Sequence, residues 1–280
     1  MLRVHRPGYR TAANTRAELT YLRGLDDALG GTDVALPQPV PTRDGDLVVE
    51  HDGRHCDLLT WIDGEVRRPE SGLDKPAVRQ LGRTLALMHN AADNITEPLD
   101  LPRWDADGMF TAAASPFRPL LGIDEILSTS DRADFDDIAE RTRAIFAELN
   151  EDFGIIHFDY ILGNIHFSRN GSDWRVGVID FDDCGMGYYL YDLCPVLGNL
   201  AGYPGGTYNP DYPVLRDAFL SGYRTARPLP AEWERHLPVL MAVRHTNHCF
   251  LTAGLNVSPT PREDAAWRMG LARLSLQLPV

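Results

Sequence analysis

Apolar residues recur along this chain with two different periods, and the changes of period mark out its elements. Leu19, Leu22, Leu25 and Leu29 fall at helical spacing, predicting a helix over 16–29 capped by Asn14 or Thr15 and ended by Gly30-Gly31. Leu2-Arg3-Val4-His5 before it reads as the end of a strand, and 47–50 and 55–60 read as a hairpin around His51-Asp52-Gly53-Arg54. Asp63-Gly64 then breaks the pattern. Val78, Leu81, Leu85 and Met88 line one face of a helix over 77–91, and Phe135, Ile138, Ile145, Phe146 and Leu149 one face of a longer helix ending before Gly154. Between these two helices, 93–120 is rich in Pro, Asp and Ala and predicts irregular connections with short helices. Three strand-like runs follow at 154–156, 165–167 and 176–179, then helices over 188–200, 214–225, 231–252 and 263–278, separated by Gly/Pro breaks. The order is α+β: a strand–helix–hairpin piece over 1–62, a linker near 61–64, and a mainly helical piece over 63–280, predicting two lobes and a cleft.

Composition narrows the function. A formal charge of −13 repels phosphate backbones, so nucleic acid is not an expected partner. Cys56, Cys184, Cys194 and Cys249 form no close pair of the zinc or redox kind, which fits free thiols in a reducing cytoplasm. The sequence has no apolar run of membrane-spanning length, so no membrane partner is expected, and its basic start lacks the apolar core of a signal peptide.

The chemistry concentrates in 155–192. His157-Phe158-Asp159 is followed by Asn164 and then by Ile179-Asp180-Phe181-Asp182, each beside a strand-like run. Phosphoryl transfer needs a carboxylate to orient and deprotonate a hydroxyl, and an amide and a second carboxylate to hold Mg2+ on nucleotide phosphates. Asp159, Asn164 and Asp180 supply these groups in that order, and hard oxygen ligands few in number suit magnesium. His157 can bond across the loop and fix its shape. Asp and Asn also favour turns for local reasons, so the spacing carries the inference and the residue types alone do not.

Residues 155–193, from Ile-Ile-His-Phe-Asp-Tyr-Ile-Leu-Gly-Asn through Val-Ile-Asp-Phe-Asp-Asp to Tyr-Asp-Leu, resemble the aminoglycoside phosphotransferase and choline kinase-like family. The stretch from Leu81 to His89 is similar to that family's first large C-lobe helix. The resemblance implies a protein-kinase-like two-lobe fold and transfer of the ATP γ-phosphate to hydroxyls of small molecules such as antibiotics, choline or homoserine, and in some members to proteins. It implies further that Arg3 holds ATP phosphates and pairs with Glu18, that Thr60-Trp61-Ile62 is the adenine-binding hinge, and that Asp192 braces the catalytic loop. Arg in place of the usual Lys gives a planar fork, so the geometry must differ. Each of these residues has a plainer reading. Arg3 can be a strand-end charge, Glu18 can close a capping box with Thr15, and Trp61 can be packing.

Two departures bear on competence. The strands and phosphate-covering loop that precede Arg3 in the family are missing, so either the true start lies upstream of Met1 or the N-lobe is truncated and the nucleotide less enclosed. A strand edge would then be exposed at 2–5, which makes a homodimer as conceivable as a monomer. Ile161 stands where many members have a second histidine. The leading expectation is an ATP- and Mg2+-dependent phosphotransferase acting on a small-molecule hydroxyl, its acceptor pocket drawn from 100–130 and 195–260. A kinase-shaped nucleotide-binding or regulatory protein is the second reading, and a metal-dependent hydrolase using His157, Asp159 and Asp180 the third. Arg244-His245-Thr246-Asn247-His248 clusters donors on one helix, where His245 and His248 could face one way as metal ligands do. Trp104 and Trp174 read as packing, and Asp105, Asp107, Asp182 and Asp183 as an acidic acceptor cleft or as solvated loops.

Overall fold

The computed structural model describes residues 1–150, 152–202, 208–254 and 258–279. The expected acceptor region 195–260 therefore includes 203–207 and 255–257, which lie outside the described residues. The chain forms two compact units. The first takes Met1–Pro102, Gly154–Gly185 and Pro210–Leu229, and the second Arg103–Phe153, Met186–Asn209 and Pro230–Val280.

In the first unit, β1 (Leu2–Val4) pairs antiparallel with β4 (Arg54–Leu58), which pairs with β3 (Val49–His51) as the predicted hairpin. Asp52 and Gly53 at its tip both have positive φ, 50° and 71°, the left-handed pair that a tight hairpin turn demands. β1 lies at the sheet edge with Leu2 and Val4 exposed. Helix α1 (Ala12–Leu29) begins one turn before its apolar pattern. Thr11 Oγ1 accepts from the Asn14 amide at 3.0 Å and Asn14 Oδ1 accepts from the Thr11 amide at 3.1 Å, a reciprocal cap. The cap is thus Thr11, not Asn14 or Thr15, and Glu18 takes no part in it. Leu19, Leu22 and Leu25 are fully buried.

Val34–Ala35 (β2) pairs parallel with β8 (Asp173–Val178), whose other edge carries β7 (Ile165–Asn170) in a hairpin running from Ile165↔Val178 to Asn170↔Asp173. The segment 61–64 is tied to this sheet, because Glu65 and Phe167 exchange both backbone hydrogen bonds at 2.9 Å. Gly64, at φ +145°, permits the approach, since a Cβ there would sit 2.9 Å from His166 Cβ. Helix α2 (Lys75–Ala92) crosses α8 (Tyr212–Arg224) at near backbone contact. A Cβ on Gly222 would fall 1.8 Å from the Arg79 carbonyl oxygen, and one on Gly82 2.0 Å from that of Phe219.

The second unit is mainly helical. A two-residue strand, β5 (Arg103–Trp104), pairs parallel with β9 (Gly185–Tyr188). Short helices α3 (Ala106–Phe110) and α4 (Ile123–Ile126) precede α5 (Thr129–Leu149), from whose C-terminal side strand β6 (Phe153–Ile156) leads into the first unit. Helices α6 (Tyr189–Asp192) and α7 (Cys194–Ala201) replace the single helix expected over 188–200, and Pro195 stands in the first turn of α7. The stretch 231–252 likewise divides into a 3-10 segment, Ala231–His236, and α9 (Leu237–Thr252), with Pro238 in the first turn. α9 is buried almost all round and forms the centre of the unit, against α5 and α10 (Pro261–Ser275). Phe135 meets Phe250 and Phe110 edge-on at 5.9 and 5.6 Å, and Trp104 is buried against Phe117. Among the described residues, no helix is long and apolar enough to cross a membrane.

Candidate active site

The loop between β6 and β7 is held by its apolar side chains and its backbone together. Phe158 and Tyr160 are fully buried, and Tyr160 Oη donates to the Leu81 carbonyl at 3.0 Å. Burying Phe158 forces a positive φ of 68° on it, an uncommon conformation for a bulky residue, and leaves Asp159 half-buried at the apex. The Ile161 amide donates to the Asp159 carbonyl at 2.8 Å, and the Asn164 amide to the Ile161 carbonyl at 2.9 Å. The turn so formed brings Asn164 back onto Asp159, where its Nδ2 donates to the Asp159 carbonyl at 3.0 Å and to Oδ2 at 2.9 Å. With both donations made by the amide nitrogen, Asn164 Oδ1 remains as an acceptor.

Asp180 joins this pair through the neighbouring strand. The Ile179 amide donates to the Asn164 carbonyl at 3.0 Å, and His157 Nε2 donates to the Ile179 carbonyl at 3.1 Å. His157 therefore clamps the two segments together, as its loop-fixing role requires. Asp180 follows directly, with a positive φ of 66°, beside the fully buried Phe181. Its carboxyl is exposed yet pushed up to about 6, by the low-polarity wall behind it and then by Asp182, Asp159 and Asp183, with His157 opposing. A crowd of carboxylates that resist joint ionisation is an environment a divalent cation relieves. Asn164 and Asp180 thus fit a magnesium ion by donor type and by electrostatics.

Arg3 on β1 and Glu18 on α1 meet at 2.7 Å, so the resemblance-derived pair exists. Arg3 does more than this pair. Its Nε lies 2.9 and 3.1 Å from the two oxygens of Asp57, its partner in the β1–β4 register, and its Nη1 is also 2.7 Å from Asp182. Asp57 accepts in addition from His5 Nε2 at 2.5 Å, and His5 stacks on His55. One guanidinium shared by three acids cannot hold them all ionised equally. Glu18 is pushed up to about 8 by burial, against Arg3 and with Asp182 and Asp57 adding to the rise. Asp57 is held below its ordinary value although burial opposes this, because His5 and Arg3 both bond it. Arg3 Nη2 is buried and has no acceptor among the described residues, a donor left over for an anion such as a phosphate.

Asp182 and Asp183 are half-buried turn residues with protein partners of their own. Asp183 accepts from Tyr9 Oη at 2.6 Å and pairs with Arg10, whose Nε donates to the Asp182 carbonyl at 3.0 Å. Burial, with neighbouring acids, holds the Asp183 carboxyl above its ordinary value. Asp105 caps α3 through the Gly108 amide. Thr60 is tied down on both sides, its amide donating to Gln38 and its hydroxyl accepting from the Gln38 amide, both at 2.8 Å. The Thr60 amide and hydroxyl are thus spent within the protein, while its carbonyl oxygen accepts from none of the described residues. Trp61 is 72% exposed, so it is not packing. Ile62 is half-buried, its Cδ1 2.7 Å from where a Cβ on Gly177 would lie. Trp174 is packing: it is buried, its Nε1 donates to Asp74 at 3.0 Å, and Arg169 stacks on its ring. Asp192 is completely buried at the end of α6 in the second unit. His245 and His248 are no metal pair, since His248 Nδ1 is occupied by Arg268 at 3.1 Å. Among the described residues, no group of three or more His, Cys, Asp or Glu side chains could hold a metal ion by itself.

Asp57, Tyr9 and Arg10 escape a reading by motif. A signal existed for Asp57: in β1 the apolar Leu2 and Val4 face out, so the inward positions of the sheet belong to Arg3 and its cross-strand neighbour.

This mixed arrangement of small sheets and helices is a protein-kinase-like fold. A solved microcompartment-associated aminopropanol kinase superposes with a TM-score of 0.75 at 26% identity, covering 98% of this chain and 83% of that one. An amicoumacin kinase in complex with AMP-PNP and Ca2+ gives 0.71 at 18% identity, covering 98% and 81%, a likeness of fold alone. The chain belongs to the phosphotransferase enzyme family, whose profile matches residues 1–236. A homoserine kinase of Methylobacterium nodulans is 30% identical over 230 residues, 80% of this chain and 65% of that protein. The chain spans about 65% of the length of the curated homoserine kinases it matches.

Proposed function

We propose that the protein is an ATP- and Mg2+-dependent phosphotransferase that phosphorylates a hydroxyl of a small molecule in the cytoplasm. The observation that carries the reading is the closed Asp159–Asn164 hydrogen-bonded pair, joined through Ile179 to Asp180. In this reading Asp159 takes the proton of the acceptor hydroxyl, and the Asn164 amide fixes the carboxylate that does so. Asn164 Oδ1 and the Asp180 carboxylate would hold the metal. When bound, magnesium–ATP supplies the phosphoryl group and the neutralising charge of an otherwise electrostatic mechanism. Arg3, oriented by Glu18, Asp57 and Asp182, would offer Nη2 to phosphate oxygens. The names of the relatives support hydroxylated amino acids and amino alcohols as the first acceptors to try.

Nucleotide titration with and without Mg2+, followed by ATP turnover over a panel of amino alcohols, hydroxy amino acids, sugars, antibiotics and peptides, tests the proposal. Asp159→Asn should lower turnover by roughly 10²–10⁴-fold with nucleotide affinity retained. One observation favours a second reading, a nucleotide-binding protein without turnover: Arg3 is already bound to three carboxylates. Magnesium-dependent ATP binding with no acceptor-stimulated turnover would support that alternative.

A further inference from the structure

The connection between β1 and α1 does more than join them. The Tyr9 amide donates to the Arg6 carbonyl at 3.3 Å, closing a turn with Gly8 at φ +79°, and Thr11 then caps α1. Arg10 stands between these two fixed points and is 6% exposed, so its guanidinium is buried on a short, rigid piece of chain. Each of its nitrogens has an acceptor. Nε donates to the Asp182 carbonyl at 3.0 Å, Nη1 to the Tyr9 carbonyl at 3.3 Å, and Nη2 to Asp183 Oδ1. The guanidinium carbon lies 4.3 Å from the centre of the Tyr9 ring, and Tyr9 Oη donates to the same Asp183 oxygen at 2.6 Å. Tyr9 and Arg10 thus hold each other and one carboxylate together.

This grip falls on the turn that follows Asp180. On the near side, Ile179 is bonded through both its amide and its carbonyl. Asp180 then takes φ +66°, a conformation that a residue with a side chain keeps only where its surroundings over-determine it. Phe181 supplies part of that constraint, being fully buried with its ring 4.5 Å from His157 and 6.2 Å from Tyr21. The Cys184 amide donates to the Phe181 carbonyl at 2.9 Å and closes the turn. Arg3 reaches this turn through the Asp182 side chain, which leaves the backbone free to pivot. Arg10 bonds the Asp182 carbonyl itself and the Asp183 carboxylate beside it, so it fixes the backbone of the turn. All of these residues belong to the first unit.

We propose that Arg10, with Tyr9 packed on its face, is a positioning residue for the metal site: it locks the turn 181–184 and so keeps the Asp180 carboxylate where it serves with Asn164. This extension rests on the phosphotransferase reading, in which Asp180 and Asn164 hold magnesium. Groups that hold a metal's ligand in place are worth roughly 10–100-fold in metal affinity. Charge alone predicts the opposite sign. Arg10 is a cation beside an acidic cluster, so removing it makes the cluster more negative and more attractive to Mg2+. Positioning therefore shows itself as a loss of Mg2+ affinity when a positive charge is taken away.

Calorimetric binding of AMP-PNP to the full chain across a Mg2+ series tests this without turnover. It gives both the Mg2+ concentration for half-maximal affinity and the fraction of binding-competent protein. Arg10→Gln should raise that concentration roughly 10–100-fold with the competent fraction unchanged, whereas a merely structural role would lower the fraction and leave the concentration alone. Arg10→Lys keeps the charge facing Asp183 but cannot also reach two carbonyls, so it should fall between the parent and Arg10→Gln. Without metal or nucleotide, amide hydrogen exchange at Cys184 should quicken in Arg10→Gln while that at Asn164, bonded within its own loop, stays as in the parent. Mg2+ dependence within ~2-fold of the parent, tighter Mg2+ binding, or unchanged exchange at Cys184 would each overturn the assignment. If Arg10→Gln does not fold, Arg10→Lys decides, and parental Mg2+ dependence in that variant overturns it. Equal behaviour of parent and variant sinks the positioning role alone, whereas a parent that binds AMP-PNP without any Mg2+ dependence sinks the phosphotransferase reading and this extension together.

Discussion

Replacing Asp57 with alanine removes the acid that the sequence least advertises and the Arg3 cage most uses. The Asp57 side chain is completely buried and Arg3's is 14% exposed, so the pair sits where solvent screens little. Losing one member of such a pair costs about 3–5 kcal/mol, mainly because the remaining charge stays buried. Arg3 keeps Glu18 and Asp182 at 2.7 Å each, which places the expected loss near the lower end, about 3 kcal/mol. For a chain of this size that corresponds to a fall in Tm of about 5 °C. Asp57→Asn keeps an acceptor for His5 or Arg3 and should lose about half as much. Urea titration across pH separates the causes. Asp57's own value is depressed, so its stabilisation is present above the ordinary carboxylate range and lost as pH falls through the folded value. Glu18 has the opposite sign. Its value rises from 4.5 to about 8, so stability from this group is full below the unfolded value and declines as pH climbs to about 8. Freeing Arg3 from Asp57 strengthens its hold on Glu18, so the variant should lose both the acid-side gain and part of the alkaline decline. A variant within ~0.5 kcal/mol of the parent, with an unchanged pH profile, would refute the cage.

Two further outcomes follow from the geometry. Mg2+ affinity in the presence of nucleotide should drop as pH is lowered through about 6, because protonated Asp180 cannot ligate; Asp180→Asn should flatten that dependence, and a profile level from pH 5 to 8 in the unaltered protein would argue against Asp180 as a ligand. Gly222→Ala should destabilise by roughly 3 kcal/mol despite the ~1 kcal/mol gain in helix propensity, because its Cβ would lie 1.8 Å from the Arg79 carbonyl; denaturant midpoints equal to the parent's would show that α2 and α8 can separate.

What could be read before folding divides by the distance over which each feature is specified. The long helices and the 49–58 hairpin follow from periodicity and a left-handed turn pair, both local properties, and their central residues were legible. Two-residue strands such as Val34–Ala35 and Arg103–Trp104 carry no period at all. They exist because Val34 and Arg103 find Val176 and Met186, far along the chain, and no local pattern announces that. The start of α1 escapes periodicity for a related reason: Thr11 and Asn14 cap each other with side chains, so the helix begins before its first buried leucine. The same division runs through the candidate site. Asp159 and Asn164 are five residues apart and bonded through one short turn, so their spacing encoded their geometry. Arg3, Glu18, Asp57 and Asp182 are up to 179 residues apart, and only folding assembles them.

The cage also explains why arginine, and not lysine, can occupy position 3. A lysine ammonium is a single point and could satisfy Glu18 and Asp182, both of which meet Arg3 at Nη1. It could not also cover Asp57, which bonds Nε on the other side of the guanidinium. Arginine spans both sets and still presents Nη2, so the same planar fork that anchors the strand keeps one donor in reserve. Arg3→Lys is therefore not conservative here: it strands Asp57 as a buried carboxylate with only His5 for a partner. The cage that steadies β1 and the donor proposed for a phosphate are two edges of one side chain, so under that proposal the stability of this sheet and its chemistry are coupled.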